Sequence, residues 1–178
     1  MNPKTVLNAL FLQGLWFATV MGAARGWMTP AIICFGGFLL FQVMYGEQAR
    51  HDLLIGLIAA AAGFFVDTLW VQLGWVAFSH ALPFPDVAPW WIVMLWCGLA
   101  LTINSSLSWL KSRLAAAALL CLISGSLSYY AASRIGAVEI IEPAWFFVCL
   151  GLSWAVLIPG LLWIARGLDK PLTLRQLL

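Results

Sequence analysis

Asp67 is the residue of this sequence best suited to chemistry, because its carboxylate lies inside the hydrophobic run GFFVDTLWVQLG, residues 63–74. An ionisable side chain within an apolar segment of membrane length is costly to keep and marks a functional site by default. Tyr130 and Arg134 lie four residues apart in a later run, so on a helix they share one face. By depth, they are the expected partners of Asp67, with Arg25 third. The cluster is either a ligand site or a structural ion pair, and both interpretations stay open.

A second group of polar side chains falls toward the opposite end of the predicted helices. The run TINSSLSW, residues 102–109, contributes Asn104 and three serines, and Gln13 and Gln42 reach a similar depth in the first two hydrophobic runs. Amide and hydroxyl groups of this kind join transmembrane helices through hydrogen bonds. They could instead bind a polar ligand from the cytoplasm, so this group also has two open interpretations.

Enzyme and metal motifs are missing around these residues. The sequence has no HExxH, no GxSxG and no glycine-rich phosphate loop. The two histidines fall at predicted loop positions, and the four cysteines lie in four different hydrophobic runs without a CxxC pair. We therefore expect no cofactor, no metal site and no catalytic residues, and the chain is more consistent with a protein that is not an enzyme.

Composition defines the environment of the polar residues. The chain has 178 residues, of which 63% are hydrophobic and 9% charged, with a mean hydropathy of +0.97. A soluble domain has roughly 25% charged residues, because polar surface must cover its core. The chain is therefore predicted to be an integral membrane protein. Its net charge of +2 is small and dispersed, without the basic stripe that follows nucleic-acid phosphates, which excludes nucleic acid as a partner.

Six hydrophobic runs reach or approach the about 20 apolar residues that a helix needs to cross the hydrocarbon core. Helices are expected because an open strand edge would leave backbone groups without partners in lipid. The predicted fold class is all-α: a bundle of six transmembrane helices forming one domain over residues 1–178. The helices are expected over residues 6–24, 29–45, 53–73, 89–110, 114–133 and 144–165.

Lysine and arginine residues in the short loops predict the orientation, because cytoplasmic loops are enriched in them. Only Arg25 and Arg134 fall on the side opposite the N-terminus. Both termini are therefore predicted to be cytoplasmic. The positive residues on the predicted cytoplasmic side are Lys4, Arg50, Lys111, Arg113, Arg166, Lys170 and Arg175.

Two further patterns concern the interior of the bundle. The third helix carries Asp67 on one face with small residues, which let helices approach closely, so Asp67 is expected to point into the bundle. Trp16, Trp96 and Trp154 fall in the middle of three predicted spans. Packing is the ordinary role of such residues, but the three could together line a pocket for a flat or greasy ligand. The small residues on the third helix are Gly56, Ala60, Gly63 and Gly74.

Three segments, residues 63–78, 89–110 and 125–138, together resemble DUF2878, a family of bacterial inner-membrane proteins of unknown function. The sequence departs from the family pattern at Ser105, where relatives have histidine, which puts a role for Ser105 in doubt. It also has Ser126 in place of proline and Ala132 in place of glycine. The matching positions are Asp67, Gly74, Pro89, Trp91, Leu95, Trp96, Ser106, Leu107, Trp109, Leu110, Gly125, Tyr129, Gly136 and Ala137.

The resemblance implies a multi-pass protein of the bacterial inner membrane and a link to fatty-acid modification, but no established activity. We expect an accessory protein that binds or handles lipid or fatty-acid derivatives, with membrane lipids as its partners. The alternative is a substrate-binding transporter subunit with other membrane subunits as partners. The small-residue ridge of Gly14, Ala18 and Gly22 in a six-helix chain also resembles the S-components of energy-coupling-factor transporters. A lipid-modifying membrane enzyme that uses Asp67 as an acid is the second alternative.

Overall fold

The computed structural model describes residues 2–169, so Lys170 and Arg175, which entered the orientation prediction, lie outside the described residues. The described part contains six α-helices, two short strands and one turn of 3-10 helix at Ser108–Leu110. The strands are β1, Val76–Phe78, and β2, Val138–Ile140. The helices are α1, Pro3–Arg25; α2, Thr29–Tyr45; α3, Ala49–Gln72; α4, Trp90–Ala100; α5, Leu114–Ile135; and α6, Pro143–Leu168.

Four helices within residues 2–169 are long and apolar enough to cross a membrane, namely α1, α3, α5 and α6. The prediction of a largely helical, membrane-type protein is confirmed at this level. The remaining two helices are shorter, with 17 residues in α2 and 11 in α4. A bundle of six complete spans therefore stays a prediction.

Local sequence sets the limits of α1 and α5. Pro3 opens α1, where its missing N–H costs nothing, and the preceding Asn2 side chain accepts a hydrogen bond from the backbone N–H of Lys4 at 3.0 Å. Both helices end at a glycine with a left-handed backbone, Gly26 at φ 70° and Gly136 at φ 92°. Glycine adopts this conformation without the steric penalty that a Cβ would bring.

The fourth helix is shorter than predicted. It was expected over residues 89–110 but ends at Ala100, and turns followed by the 3-10 helix occupy the remaining residues. The turn segment is nevertheless interior, because Leu101, Thr102 and Ile103 have no exposed surface. Irregular backbone at membrane depth is tolerated where it is buried in protein and its polar groups find partners. Side chains from other helices supply those partners here, as described below.

A short strand pair adds to the predicted helical architecture. β1 and β2 pair antiparallel, with Val76 opposite Ile140 and Phe78 opposite Val138. Val76 and Phe78 are buried, whereas the residue between them is exposed, which is the alternation of a strand with one covered face. The pair links the segment after α3 to the segment after α5. Three-residue strands carry too little pattern to be predicted from sequence, so the segment was expected to be a loop.

Helix packing leaves one side of the bundle loosely closed. α5 packs extensively on α6, α3 on α4 and α1 on α2, while α3 also contacts α6 and α1 also contacts α4. Close approach of α5 and α6 depends on Gly151, where a Cβ would lie 2.9 Å from the backbone oxygen of Leu122. α1 and α5 touch each other only sparingly. The space that this leaves between α1, α4, α5 and α6 forms the candidate site.

Candidate functional site

Asp67 lies on the buried face of α3 and has no exposed surface. The Tyr129 hydroxyl of α5 donates a hydrogen bond to its Oδ1 at 2.5 Å, and the Trp96 indole N–H of α4 donates one to its Oδ2 at 2.7 Å. A buried carboxyl group without partners would be strongly destabilising, and here each oxygen has one. One side chain thereby joins three helices. These three residues are called the Asp67 cluster.

The predicted partners of Asp67 are corrected by this geometry. Tyr130 is 53% exposed and its neighbour Tyr129 makes the contact, because successive helix residues differ by about 100° in direction. Arg134 and Arg25 are exposed and form no ion pair with Asp67. The sequence did contain a signal for the true partners. Trp96 and Tyr129 both match the family pattern that includes Asp67.

Two glycines make room for the indole rings beside this cluster. A Cβ at Gly63, one turn before Asp67, would overlap the Trp96 ring, so the ring lies directly against the α3 backbone. The Trp96 ring contacts that of Trp154 on α6, with centroids 5.1 Å apart. On α5, a Cβ at Gly125 would lie 2.6 Å from the Trp154 ring. Small residues thus fix where the two rings lie.

A pocket of about 540 Å³ lies between α1, α4, α5 and α6. Trp16, Trp96 and Trp154 all line it, so the structure brings together the three tryptophans predicted for the middle of the spans. Leucine, isoleucine and phenylalanine side chains supply most of the remaining wall. The volume falls within the roughly 300–1,000 Å³ typical of small-molecule sites. Asp67 does not line the pocket itself but holds Trp96 and Tyr129, which do.

The pocket opens sideways between α1 and α5. Among the residues that line it, Phe17 of α1 and Leu120 and Leu127 of α5 are about half exposed, at 53%, 49% and 59%, as is Trp109 after α4, at 49%. Gln13 lies on the same rim and is exposed. The Trp16 indole N–H of α1 donates a hydrogen bond to the Ser128 hydroxyl oxygen of α5 at 2.8 Å and so joins the two helices beside the pocket. In a membrane, an opening at these mid-helix positions would face acyl chains.

A second buried carboxylate lies at the start of α3. Asp52 is only 1% exposed, and its Oδ2 accepts a hydrogen bond from the Gln42 side-chain amide at 2.5 Å. Its Oδ1 accepts one from the Asn104 amide at 2.6 Å. The Asn8 amide in turn donates to the Gln42 carbonyl oxygen at 3.1 Å. Asn8, Gln42, Asp52, Asn104 and Ser106 are called the Asp52 cluster.

The Asp52 cluster stabilises the irregular segment that follows α4. The Asn8 amide donates a hydrogen bond to the Leu101 carbonyl oxygen at 3.1 Å, and the Ser106 hydroxyl donates one to the Asn8 carbonyl oxygen at 2.7 Å. These bonds satisfy a backbone carbonyl group and side-chain polar groups in a segment where no continuous helix pairs the backbone. The interhelical hydrogen bonding predicted for this group is therefore present.

The membership of the Asp52 cluster differs from the predicted group. Gln42 and Asn104 belong to it, whereas Gln13 lies at the pocket instead. Asp52 was not predicted because the third helix was expected to begin at Leu53, which left Asp52 in a loop. α3 in fact begins at Ala49, so Asp52 lies in its first turn.

Neither carboxylate has the surroundings of a metal site. Within residues 2–169, no three histidine, cysteine, aspartate or glutamate side chains come together in an arrangement able to hold a metal ion. Each oxygen of Asp52 and of Asp67 already accepts a hydrogen bond from a protein side chain. What the arrangement offers chemically is an aromatic, largely apolar cavity whose walls are held by buried hydrogen bonds.

The fold and site define a membrane-type helical protein with an aromatic pocket that opens on its side. The chain belongs to the family described as "Protein of unknown function (DUF2878)", whose model matches residues 5–160. This confirms the resemblance drawn from the three segments. The matched region contains both carboxylate clusters and every residue that lines the pocket. No curated protein and no solved structure matches the chain.

Proposed function

We propose that the protein binds a lipid or fatty-acid derivative in the pocket between α1, α4, α5 and α6. The observation that carries this proposal is the side opening between α1 and α5, lined by the half-exposed Phe17, Leu120 and Leu127. A ligand dissolved in the bilayer would reach such a pocket without passing through water. The indole rings inside it offer large, rigid apolar contact area at little conformational cost.

In this proposal Asp67 positions the pocket wall and does not touch the ligand. Its carboxylate takes the hydrogen-bond donors of Trp96 and Tyr129, so both side chains are held with their polar atoms turned to α3. The faces of their rings are then available to the pocket. Fixing the rings in advance reduces the ordering cost of binding, which is the general benefit of a preorganised site.

We also propose that all six helices cross a bacterial inner membrane, with both termini in the cytoplasm. α2 and α4 are short by length alone, but the buried turns after α4 would complete its crossing inside the protein. Within the described residues, Lys111 pairs with Asp169 at 2.8 Å and Lys4 lies 5.9 Å from the Tyr45 ring centroid. The first contact joins the segment before α5 to the end of α6, and the second joins the start of α1 to the end of α2. Both support the predicted grouping of positive residues on the cytoplasmic side.

Native mass spectrometry of gently extracted protein tests the binding proposal. Ser124→Phe and Ala131→Phe would each place a ring inside the pocket, because both residues line it. Ile123→Phe is the matched control, since Ile123 is 58% exposed on the same helix and does not line the pocket. The wild type and the control should retain a lipid mass that the two filled variants lose. Equal retention by all four proteins, or none by the wild type, would contradict the proposal.

A further inference from the structure

The chemistry of the pocket wall restricts the charge of the ligand. Among residues 2–169, none of those that line the pocket is a lysine, arginine, histidine, aspartate or glutamate. A charged group placed among apolar rings without a partner would carry a large desolvation cost. The pocket is therefore suited to an uncharged molecule.

Most polar atoms of the aromatic wall are unavailable to a ligand. The Tyr129 hydroxyl and the Trp96 N–H donate to Asp67, and the Trp16 N–H donates to Ser128. The Trp154 N–H is buried and has no partner among the described residues. The first three side chains therefore offer the pocket ring faces and no free donor, and the Trp154 N–H is buried, so hydrogen bonding to a ligand falls to the other polar residues of the lining.

Two polar side chains on the pocket rim have no hydrogen-bond partner within the described part of the chain. They are Gln13 of α1 and Ser124 of α5, and both are exposed and line the pocket. Gln13 lies about one turn before Trp16, and Ser124 lies one turn before Ser128. Trp16 bonds to Ser128, and Asn8 near the start of α1 bonds to Ser106 shortly before α5, so the two helices run in the same direction and Gln13 and Ser124 lie on the same side of the Trp16–Ser128 contact.

The depth of this pair makes its unpartnered state informative. Gln13 lies near the middle of α1, which spans Pro3–Arg25, and Ser124 lies near the middle of α5, which spans Leu114–Ile135. Polar groups at the middle of a membrane are unfavourable unless a partner satisfies them. A ligand that carries one hydrogen-bonding group at this depth would supply that partner.

We propose that the ligand is an uncharged amphiphile, such as a fatty alcohol or ester, whose hydroxyl or carbonyl oxygen hydrogen-bonds to Gln13 and Ser124. Its hydrocarbon part lies against the tryptophan rings. This inference rests on the proposed function and names the ligand class of the same pocket. An anionic lipid is the contrasting case, because Arg113 lies 6.0 Å from the ring centroid of Trp109, which lines one end of the pocket.

Brominated probes in lipid nanodiscs test this inference, since bromine quenches tryptophan fluorescence on contact. Four probes share one terminally brominated chain and differ in the other end: an alkane, an alkanol, an alkyl sulfonate and an alkyl trimethylammonium. Quenching that disappears in Ser124→Phe but persists in Ile123→Phe reports the pocket. We expect the alkanol to bind about five- to tenfold more tightly than the alkane, as one or two hydrogen bonds would give.

Gln13→Leu should lower the affinity for the alkanol toward that for the alkane, with Ser124 as the remaining partner, and leave the affinity for the alkane unchanged. Met44→Leu is the matched control, because Met44 is 61% exposed on α2 and does not line the pocket. If no probe gives quenching that Ser124→Phe removes, the proposed function itself fails. If alkane and alkanol bind equally, or Gln13→Leu changes neither, only the ligand class is overturned. Tightest binding of the sulfonate, lost in Arg113→Gln, would identify an anionic lipid and also overturn it.

Discussion

Two buried aspartates on the same face of α3 have different partners and different consequences. Asp52 accepts hydrogen bonds from the amides of Gln42 and Asn104, in a cluster that supports irregular backbone after α4. Asp67, roughly four turns further along, accepts its bonds from the aromatic donors of Trp96 and Tyr129, which line the pocket. A carboxylate inside a membrane-type helix therefore need not contact a ligand. The hydrogen-bond partners of each carboxylate show which part of the protein it supports.

Asp67→Ala should have the largest effect, because it leaves two buried donors, on Trp96 and Tyr129, without partners. At roughly 1–3 kcal/mol for each donor, we expect the free energy of unfolding to fall by about 2–6 kcal/mol. Lipid retention should fall as well, since both rings lose their anchor. Denaturant titration in detergent micelles and native mass spectrometry measure the two effects. Asp67→Asn keeps one acceptor oxygen, so its losses of unfolding free energy and of lipid retention should both be smaller. Lipid retention unchanged in either variant would contradict the role of Asp67 in positioning Trp96 and Tyr129.

Asp52→Ala should distinguish the role of the Asp52 cluster from that of the Asp67 cluster. It removes the acceptor for Gln42 and Asn104, and we expect a loss of about 2–4 kcal/mol in unfolding free energy. Lipid retained per folded molecule should fall less than in Asp67→Ala, because no member of the Asp52 cluster lines the pocket, although the segment it supports reaches the wall through Leu107, Trp109 and Leu110. The same titration and mass measurement apply. A loss of retention as large as that in Asp67→Ala would remove the distinction between the clusters.

Gly63→Ala should disturb the pocket wall although it adds only one methyl group. The added Cβ would overlap the Trp96 ring and move the indole away from α3 and Asp67. Overpacking of this kind costs about 1–3 kcal/mol, and lipid retention should decrease with it. Gly36→Ala on α2 is the control, because no atom of the described part of the chain lies within 4 Å of a Cβ there. The control should gain about 0.5–1 kcal/mol from better helix propensity. Equal melting temperatures for the two variants would argue against the close packing of Trp96 on Gly63.

Trp16→Phe should have the smallest effect on stability. It removes the hydrogen bond to Ser128 across the opening while keeping an aromatic ring, at a cost of about 0.5–1.5 kcal/mol. The expected signature is kinetic: bound lipid should exchange faster in nanodiscs, followed with the brominated alkanol. An exchange rate equal to that of the wild type would show that this bond does not restrain the opening.

Sequence periodicity and the lengths of the hydrophobic runs predicted much of the helical architecture. The α2 limits were predicted to the residue, and the small-residue pattern correctly directed Asp67 into the protein. The choice between Tyr129 and Tyr130 was wrong because depth along a helix does not fix its rotation. The end of α4 at Ala100 depends on hydrogen bonds from Asn8, which lies far away in sequence. Contacts between distant segments leave no periodic signal, so the strand pair escaped prediction for the same reason.

The strand pair has a mechanical consequence for the pocket. α3 and α5 are joined at two heights, by the Asp67–Tyr129 bond and by the pairing of β1 with β2. Across the opening, by contrast, α1 is hydrogen-bonded to α5 through Trp16 and Ser128, and its first turns are held at Asn8. We expect α1 to pivot near Asn8 relative to α3 and α5. The Trp16–Ser128 hydrogen bond should restrain this movement. Spin labels at Phe17 and Leu127 should then report a wider spread of distances than a pair placed on α3 and α5.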